Sequence, residues 1–244
     1  MIPDVFMIAY DEPYAARHFA RLRAAAPTAR LIEGVTGIRE AYRACAVAAA
    51  TPYFFAVDAD NFVVEGFDFA LPFEPKPFEI VIWFARNPVN GLTYGHGGIK
   101  LYPTDLVRRS NRGQGVDVAT SWAPRTQFLS VVASEHRFNA GPAETWRAAF
   151  REGVSLSRNL AVAKTKAVLQ HRLDTWCMVG EAAPFGRWSI AGARDGRSFA
   201  TEFARDPQRL KLIKDFTWLR EEFARRYGLS PDTSPDGGPA PTTA

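Results

Sequence analysis

Cysteine is scarce in this chain: Cys45 and Cys177 are the two in 244 residues. Both sit in helix-like apolar stretches, so a disulfide framework is not expected and a reducing, cytoplasmic setting fits. No C-x-x-C spacing occurs, which excludes the usual thiolate zinc site. Uncharged apolar runs of membrane-spanning length are also missing. The opening Met1-Ile2-Pro3-Asp4 has no basic segment followed by an apolar one, so no signal peptide is expected. No internal repeat is evident. Extremes of composition are lacking too. Hydrophobic residues make up 47% and charged residues 23%, ordinary values for a globular protein with a sizeable core. The net charge of +4, carried mostly by arginine, favours anionic partners such as nucleotides or nucleic acid.

What is present is an alternation. Val5 to Tyr10 is a short apolar run of strand type, ending in Asp11-Glu12-Pro13. Tyr14 to Ala26 has helical periodicity, with Phe19 and Leu22 inward. Ala29 to Val35 reads as a strand, Ile38 to Ala50 as a helix, and Tyr53 to Asp60 as a buried strand. Strand-helix alternation of this kind predicts an α/β fold with a mixed, mainly parallel sheet and helices on both faces. Phe78 to Ala85 is a further strand, and Leu92 to Gly95 starts a return strand. Thr104 to Val107 opens a short helix, and Arg108 to Gly115 is a basic loop. Phe128 to Ser134 is another strand. Helices follow over Ala143 to Leu156, within Ala161 to Gly180 (Leu169, Leu173, Trp176 and Cys177 as its buried positions), from Ser189 to Phe203 and from Pro207 to Tyr227, with a break at Phe185-Gly186-Arg187-Trp188. Proline, glycine, serine and threonine dominate 228–244, predicting a disordered tail. The remaining residues 1–227 read as one domain, with 1–60 a nucleotide-binding half and 61–227 an acceptor half.

The central run, Tyr53-Phe54-Phe55-Ala56-Val57-Asp58-Ala59-Asp60, ends in two carboxylates one residue apart. Alternation along an extended chain points both to one side. Hard oxygen ligands so placed suit Mn²⁺ or Mg²⁺. A solvated turn after a strand also produces such pairs. In a parallel sheet ligands gather at the C-terminal strand ends, where Asp11, Asp58 and Asp60 all fall.

Three strand-helix units leading to FFAVDAD resemble the nucleotide-sugar glycosyltransferases of the GT-A fold. The pattern covers residue 5 to about residue 105, and its motif is short. The resemblance implies a divalent cation on Asp58 and Asp60 that bridges the donor's phosphates, with a UDP-sugar as the expected donor. It places Ala9, Tyr10 and Asp11 on the nucleoside, and Glu33 and Arg39 at further donor positions. His96, Gly97, Gly98 and Lys100 would face the acceptor side, with Trp176 as a further substrate contact. A third metal ligand in the family is often a late histidine; His136 and His171 are the options, and His136 is the one assigned. An inverting enzyme needs a carboxylate base, for which Asp174 and Glu135 are the candidates. The string GLTYGHGGIK, with the later RLDTW, is similar to phage-type members suspected of glycosylating hydroxymethylated pyrimidines in DNA. In such a setting, a bacterial or phage-infected cell, Arg108, Arg109, Arg112 and Arg125 would grip phosphates.

Other readings stay open. A nucleotidyltransferase of related fold carries a glycine-rich basic loop after its first strand, whereas Tyr10-Asp11-Glu12-Pro13 is acidic. A non-catalytic nucleic-acid-binding protein would use the arginines and not need Asp58 or Asp60. A two-metal nuclease lacks a further acidic cluster.

Overall fold

A computed structural model describes residues 2–95, 97–109, 120–163 and 166–229. The expected tail from Ser230, His96 and most of the basic loop, Arg112 included, lie outside the described residues. Two compact units emerge, one of residues 1–87 and 93–137, the other of 88–92 and 138–244.

The first unit opens as the alternation predicts. Strand β1 (Asp4–Ala9) is followed by α1 (Ala15–Ala25), β2 (Arg30–Glu33), α2 (Ile38–Ala48) and β3 (Tyr53–Asp58). β1 pairs in parallel with β2 on one side and β3 on the other. Alternate residues of β1 feed two cores. Val5, Met7 and Ala9 pack with Leu22 of α1, while Phe6 and Ile8 pack with Tyr42 and Cys45 of α2. The two helices therefore cover opposite faces. The chain moves from β1 to β2 one way and then crosses to β3 the other way. The gap between the C-terminal ends of β1 and β3 is thus a topological switch point, where open α/β sheets bind ligands.

The rest of the sheet brings in more antiparallel pairing than the opening alternation implies. β4 (Asn61–Val63) follows β3 directly, then β5 (Glu79–Arg86), β6 (Thr93–Tyr94), β7 (Ile99–Pro103), α3 (Thr104–Arg109) and β8 (Arg125–His136). Among the described residues the order is β2-β1-β3-β7-β5-β8-β4, with β6 on β5. β7 lies antiparallel between β3 and β5, while β5 and β8 are parallel. β4 and β7 were not expected. β4 is three residues long, and the charged Lys100 interrupts the apolar run of β7.

The second unit is helical: α4 (Pro142–Val162), α5 (Ala167–Met178), α6 (Gly186–Glu202), α7 (Pro207–Lys211), a 3₁₀ turn over Leu212–Lys214, and α8 (Phe216–Tyr227). The expected break at Phe185-Gly186-Arg187-Trp188 is where α6 begins, with Phe185 at φ 57. The expected last helix is two, because Asp215 caps α8 by accepting from the Trp218 N–H at 3.0 Å. Gly228, placed in the tail by composition, takes the left-handed conformation (φ 64) that closes α8. Asp195 of α6 accepts from Trp146 Nε1 (2.8 Å), the Tyr227 hydroxyl (2.7 Å) and Arg226 (3.1 Å), tying α4, α6 and α8 together. Among the described residues no helix is long and apolar enough to cross a membrane.

Glycine sets the approach of α4 to α6. A Cβ on Gly192 or Gly196 would strike the carbonyl oxygens of Trp146 or Phe150, and one on Gly153 would lie 2.5 Å from that of Ala193. Backbone cannot give way as a side-chain tip can. Gly196→Val should therefore lower the unfolding free energy by about 1–3 kcal/mol through overpacking. Denaturant unfolding of the full chain checks this; an unchanged midpoint would refute close packing there.

Asp4 fixes the start of β1 to the turn before β3. Its Oδ2 accepts the Ala50 and Thr51 N–H groups at 2.7 and 2.9 Å, and Arg30 lies at 3.1 Å from Oδ1. Burial pushes the carboxyl up, but these hydrogen bonds and Arg30 outweigh it, and the net pKa falls below 3.8. A depressed folded-state value means that the stabilisation is complete above the ordinary value and is lost as pH falls through the folded one. Asp4→Asn should be less stable than the parent at about pH 7, and the gap should shrink as pH drops below about 4. Urea midpoints across that range check the sign.

Candidate functional site

Asp58 ends β3 at the switch point, Ala59 and Asp60 make a two-residue turn, and Asn61 starts β4. Every side of this turn is tied down. The Ala59 N–H donates to Ile8 O of β1 at 2.9 Å, and the Asp58 N–H to Gly98 O at 2.9 Å. The Arg137 N–H donates to Asp60 O at 2.7 Å. From α1, His18 Nδ1 lies 2.6 Å from Ala59 O. A carbonyl can only accept, so the proton is on Nδ1. Burial pushes the His18 pKa down, which favours that neutral ring.

The two carboxylates have different partners. Both Asp58 oxygens accept from Lys100 Nζ, at 2.9 and 2.8 Å. The same ammonium donates to Gly97 O and lies 5.3 Å from the Tyr42 ring centre. The Lys100 side chain is 1% exposed and that of Asp58 33%. Packing around the Asp58 carboxyl raises its pKa and the charge of Asp60 adds to this, while Lys100 opposes both. Asp60 lies 3.0 Å from His136 Nε2 and accepts from Asn61 Nδ2 at 2.7 Å. The Ser134 hydroxyl in turn donates to Asn61 Oδ1 at 2.8 Å. Burial lifts the Glu12 carboxyl above its usual range, with Asp60 and Asp11 contributing.

Of the expected site residues, the fold gathers Asp58, Asp60, His136, Gly97, Gly98 and Lys100 around this turn. Tyr10 and Asp11 are exposed just past β1, and Glu33 is exposed at the end of β2. Ala9 is buried, its backbone in register with Glu33. Arg39 lies against the Trp122 ring and 3.4 Å from Glu40.

Several expectations change. Gly97 and Gly98 are buried and serve the turn rather than a substrate: their carbonyls take Lys100 Nζ and the Asp58 N–H. A Cβ on Gly98 would overlap the Asn61 amide. Lys100 is spent on Asp58 and, at 1% exposure, does not reach a substrate. Glu135 is ion-paired with Arg86 and Arg137. Burial raises its pKa, but the two arginines outweigh it and hold the carboxylate low, the reverse of what a general base needs. Trp176, on α5 of the second unit, is 1% exposed and packed on Phe138, so its ring cannot stack on a substrate. Asp174, on the same helix, accepts from Gln170 at 2.8 Å and lies 3.4 Å from Arg197.

A divalent cation on Asp58, Asp60 and His136 does not fit this arrangement. Among the described residues no three His, Cys, Asp or Glu side chains form a group that could hold one. Asp58 has both oxygens on an ammonium, and Asp60 is shared between His136 and Asn61.

No family model matches the chain, and no curated protein matches it. Solved structures do. One is a mannosyltransferase from Pyrobaculum calidifontis in complex with GDP-Man and Mn²⁺, at 12% identity and a TM-score of 0.42, covering 93% of this chain and 87% of that one. Another is S. aureus TarS 1-349, at 12% identity and a TM-score of 0.34, covering 93% and 91%. Likeness this low carries no argument about chemistry.

His18, Asn61, Ser134 and Arg137 were not singled out from the sequence. His18 had a signal: it lies four residues before Leu22, on the buried face of α1. The others depend on β4 pairing with β8, which no local pattern announces. Gly98→Ala tests the arrangement. The added methyl must displace Asn61 and with it the bonds to Asp60 and Ser134, so a melting temperature lower by about 2–8 °C is expected, for a cost of about 1–2 kcal/mol. An unchanged melting temperature would show that Asn61 is not wedged as described.

Proposed function

We propose that the protein transfers a sugar from a nucleotide-sugar donor to an acceptor hydroxyl. The observation that carries the reading is the placing of Asp58 and Asp60, at the switch point where an α/β sheet takes its ligand. Tyr10 and Asp11, exposed just past β1, would face the nucleoside. In the reaction the acceptor oxygen attacks the anomeric carbon, whose bond to the diphosphate breaks with the electron pair leaving on the nucleotide; the hydroxyl proton passes to a base or to water. The turn is held by backbone bonds to Ile8 and Gly98 and from Arg137, and by His18, so its carboxylates are fixed in place; without a cation they would act on the positive charge that develops at the anomeric carbon, not on the departing diphosphate. A uridine diphosphate sugar as donor and a hydroxymethylated pyrimidine in DNA as acceptor are the finer form of the proposal, supported by the sequence resemblance.

The nucleic-acid-binding reading is less favoured by the arginines themselves. Arg108 donates to Ala46 O and Ala49 O at the end of α2, Arg109 pairs with Asp105 at 3.4 Å, and Arg125 lies over Phe78.

The test is a panel of nucleotide sugars with the purified chain, with and without hydroxymethylated DNA, reading nucleoside diphosphate release. At least one sugar should be turned over, and Asp60→Asn should cut kcat about 100-fold or more with the melting temperature kept. Failure of every donor to be turned over or to give thermal protection, with DNA affinity intact in an Asp58→Ala, Asp60→Ala double variant, would replace the enzyme by a binding module.

A further inference from the structure

A lysine buried in the middle of a sheet has to satisfy a charge and three N–H groups. Lys100 does so entirely within the chain. It sits on β7 opposite Ala56 of β3, two residues before Asp58. From there its ammonium reaches both Asp58 oxygens, the Gly97 carbonyl and the face of Tyr42. Tyr42 is itself 1% exposed and packed against Tyr102, at 5.0 Å between ring centres. On this strand face the ammonium is thus bounded by a packed pair of buried rings.

We propose that Lys100 is the resident cation of the Asp58 carboxylate, occupying the place a divalent ion would take, so that this chain binds its nucleotide donor without a metal at Asp58. A Mg²⁺ or Mn²⁺ on that carboxylate binds at about 2.1 Å from oxygen. It would stand within a few ångström of the ammonium, and two cations that close repel. Lys100 cannot withdraw, because leaving Asp58 would strand its charge in the core. Asp60 cannot substitute for Asp58, being engaged by His136 and Asn61. The carboxylate is thus neutralised by a fixed internal charge rather than by an exchangeable one.

The part of this inference that concerns the donor rests on the nucleotide-sugar reading; the part that concerns metal does not. The experiment keeps them apart. Mn²⁺ binding to the full chain is measured directly by titration of free Mn²⁺, for the parent and for Lys100→Met, with no nucleotide present. The parent should bind more weakly than about 1 mM, the range of the weakest natural oxygen sites. Lys100→Met should bind at least ~10-fold more tightly, because it frees both Asp58 oxygens. Nucleotide-donor affinity of the parent is measured alongside in EDTA and in Mn²⁺, and should agree within about 2-fold, since nothing at Asp58 is exchanged. Micromolar Mn²⁺ binding by the parent that Asp58→Asn abolishes would overturn the proposal. So would a donor affinity that collapses in EDTA; both of these measurements stand even where Lys100→Met fails to fold. Absence of donor binding under every condition would sink the glycosyl-transfer reading instead, while the Mn²⁺ titration would still decide the role of Lys100.

Discussion

The pairing of Lys100 with Asp58 constrains more of the first unit than any other contact. An ammonium can be buried between two strands only where a carboxylate meets it and further acceptors take its remaining hydrogen. That demands β7 in one register against β3, since a shift of one residue would turn Lys100 to the other face of the sheet. It demands that the chain entering β7 present a carbonyl inward, which Gly97 does at φ 95, a conformation that glycine adopts without strain. It also demands that Gly98 lie flat against Asn61, so that the next carbonyl can take the Asp58 N–H. The glycine pair and the lysine are one device, and its product is a carboxylate held still at the mouth of the sheet.

Around that carboxylate the turn is over-determined. β1 and His18 hold Ala59, the backbone of Arg137 holds Asp60, and the Ser134 to Asn61 to Asp60 chain fixes the second acid from below. Arg137 also lies 3.7 Å over the Phe62 ring, so the start of β4 and the end of β8 are joined on their side-chain faces as well. Bonds from both neighbouring strands and from a helix leave the turn little freedom to rearrange when a ligand arrives.

The first three strands and two helices were legible because their signals are local. Apolar runs of strand length alternate with 3.6-residue periodicity, and the parallel order follows from the crossovers. The DAD turn was legible for the same reason. What stayed hidden depends on contacts between distant segments. Lys100 and Asp58 are 42 positions apart, and Asp60 and His136 are 76 apart. A sequence shows that a lysine, a glycine pair and an acidic pair exist, but not that strand pairing will press them together. Gly97, Gly98 and Lys100 therefore read as a substrate loop from the sequence, whereas the fold packs them against Asp58 and Asn61. Trp176 reads from the sequence both as a buried position of its helix and as a substrate contact, and its 1% exposure agrees with the first. Helix ends were misplaced where one residue decides, as at Asp215 and Phe185.

Net charge alone does not locate a binding surface. An excess of arginine on a chain of pI 9.2 suggests a phosphate-gripping surface. Yet many of these guanidinium groups are committed to the protein's own structure. Arg108 closes the C-terminal end of α2, where exposed carbonyls and the helix dipole attract a cation. Arg30 lies 4.5 Å over Phe6 and pairs with Asp4. Arg225 and Arg226 converge on the buried Glu222, whose pKa burial raises but the two arginines pull below its usual range. A count of charges weighs each cation equally, whereas binding weighs only those whose field reaches solvent. An arginine already neutralised at hydrogen-bond distance contributes little beyond that pair. The functional reading therefore rests on where the acids of the turn are placed, because Arg30, Arg108, Arg225 and Arg226 are engaged within the protein.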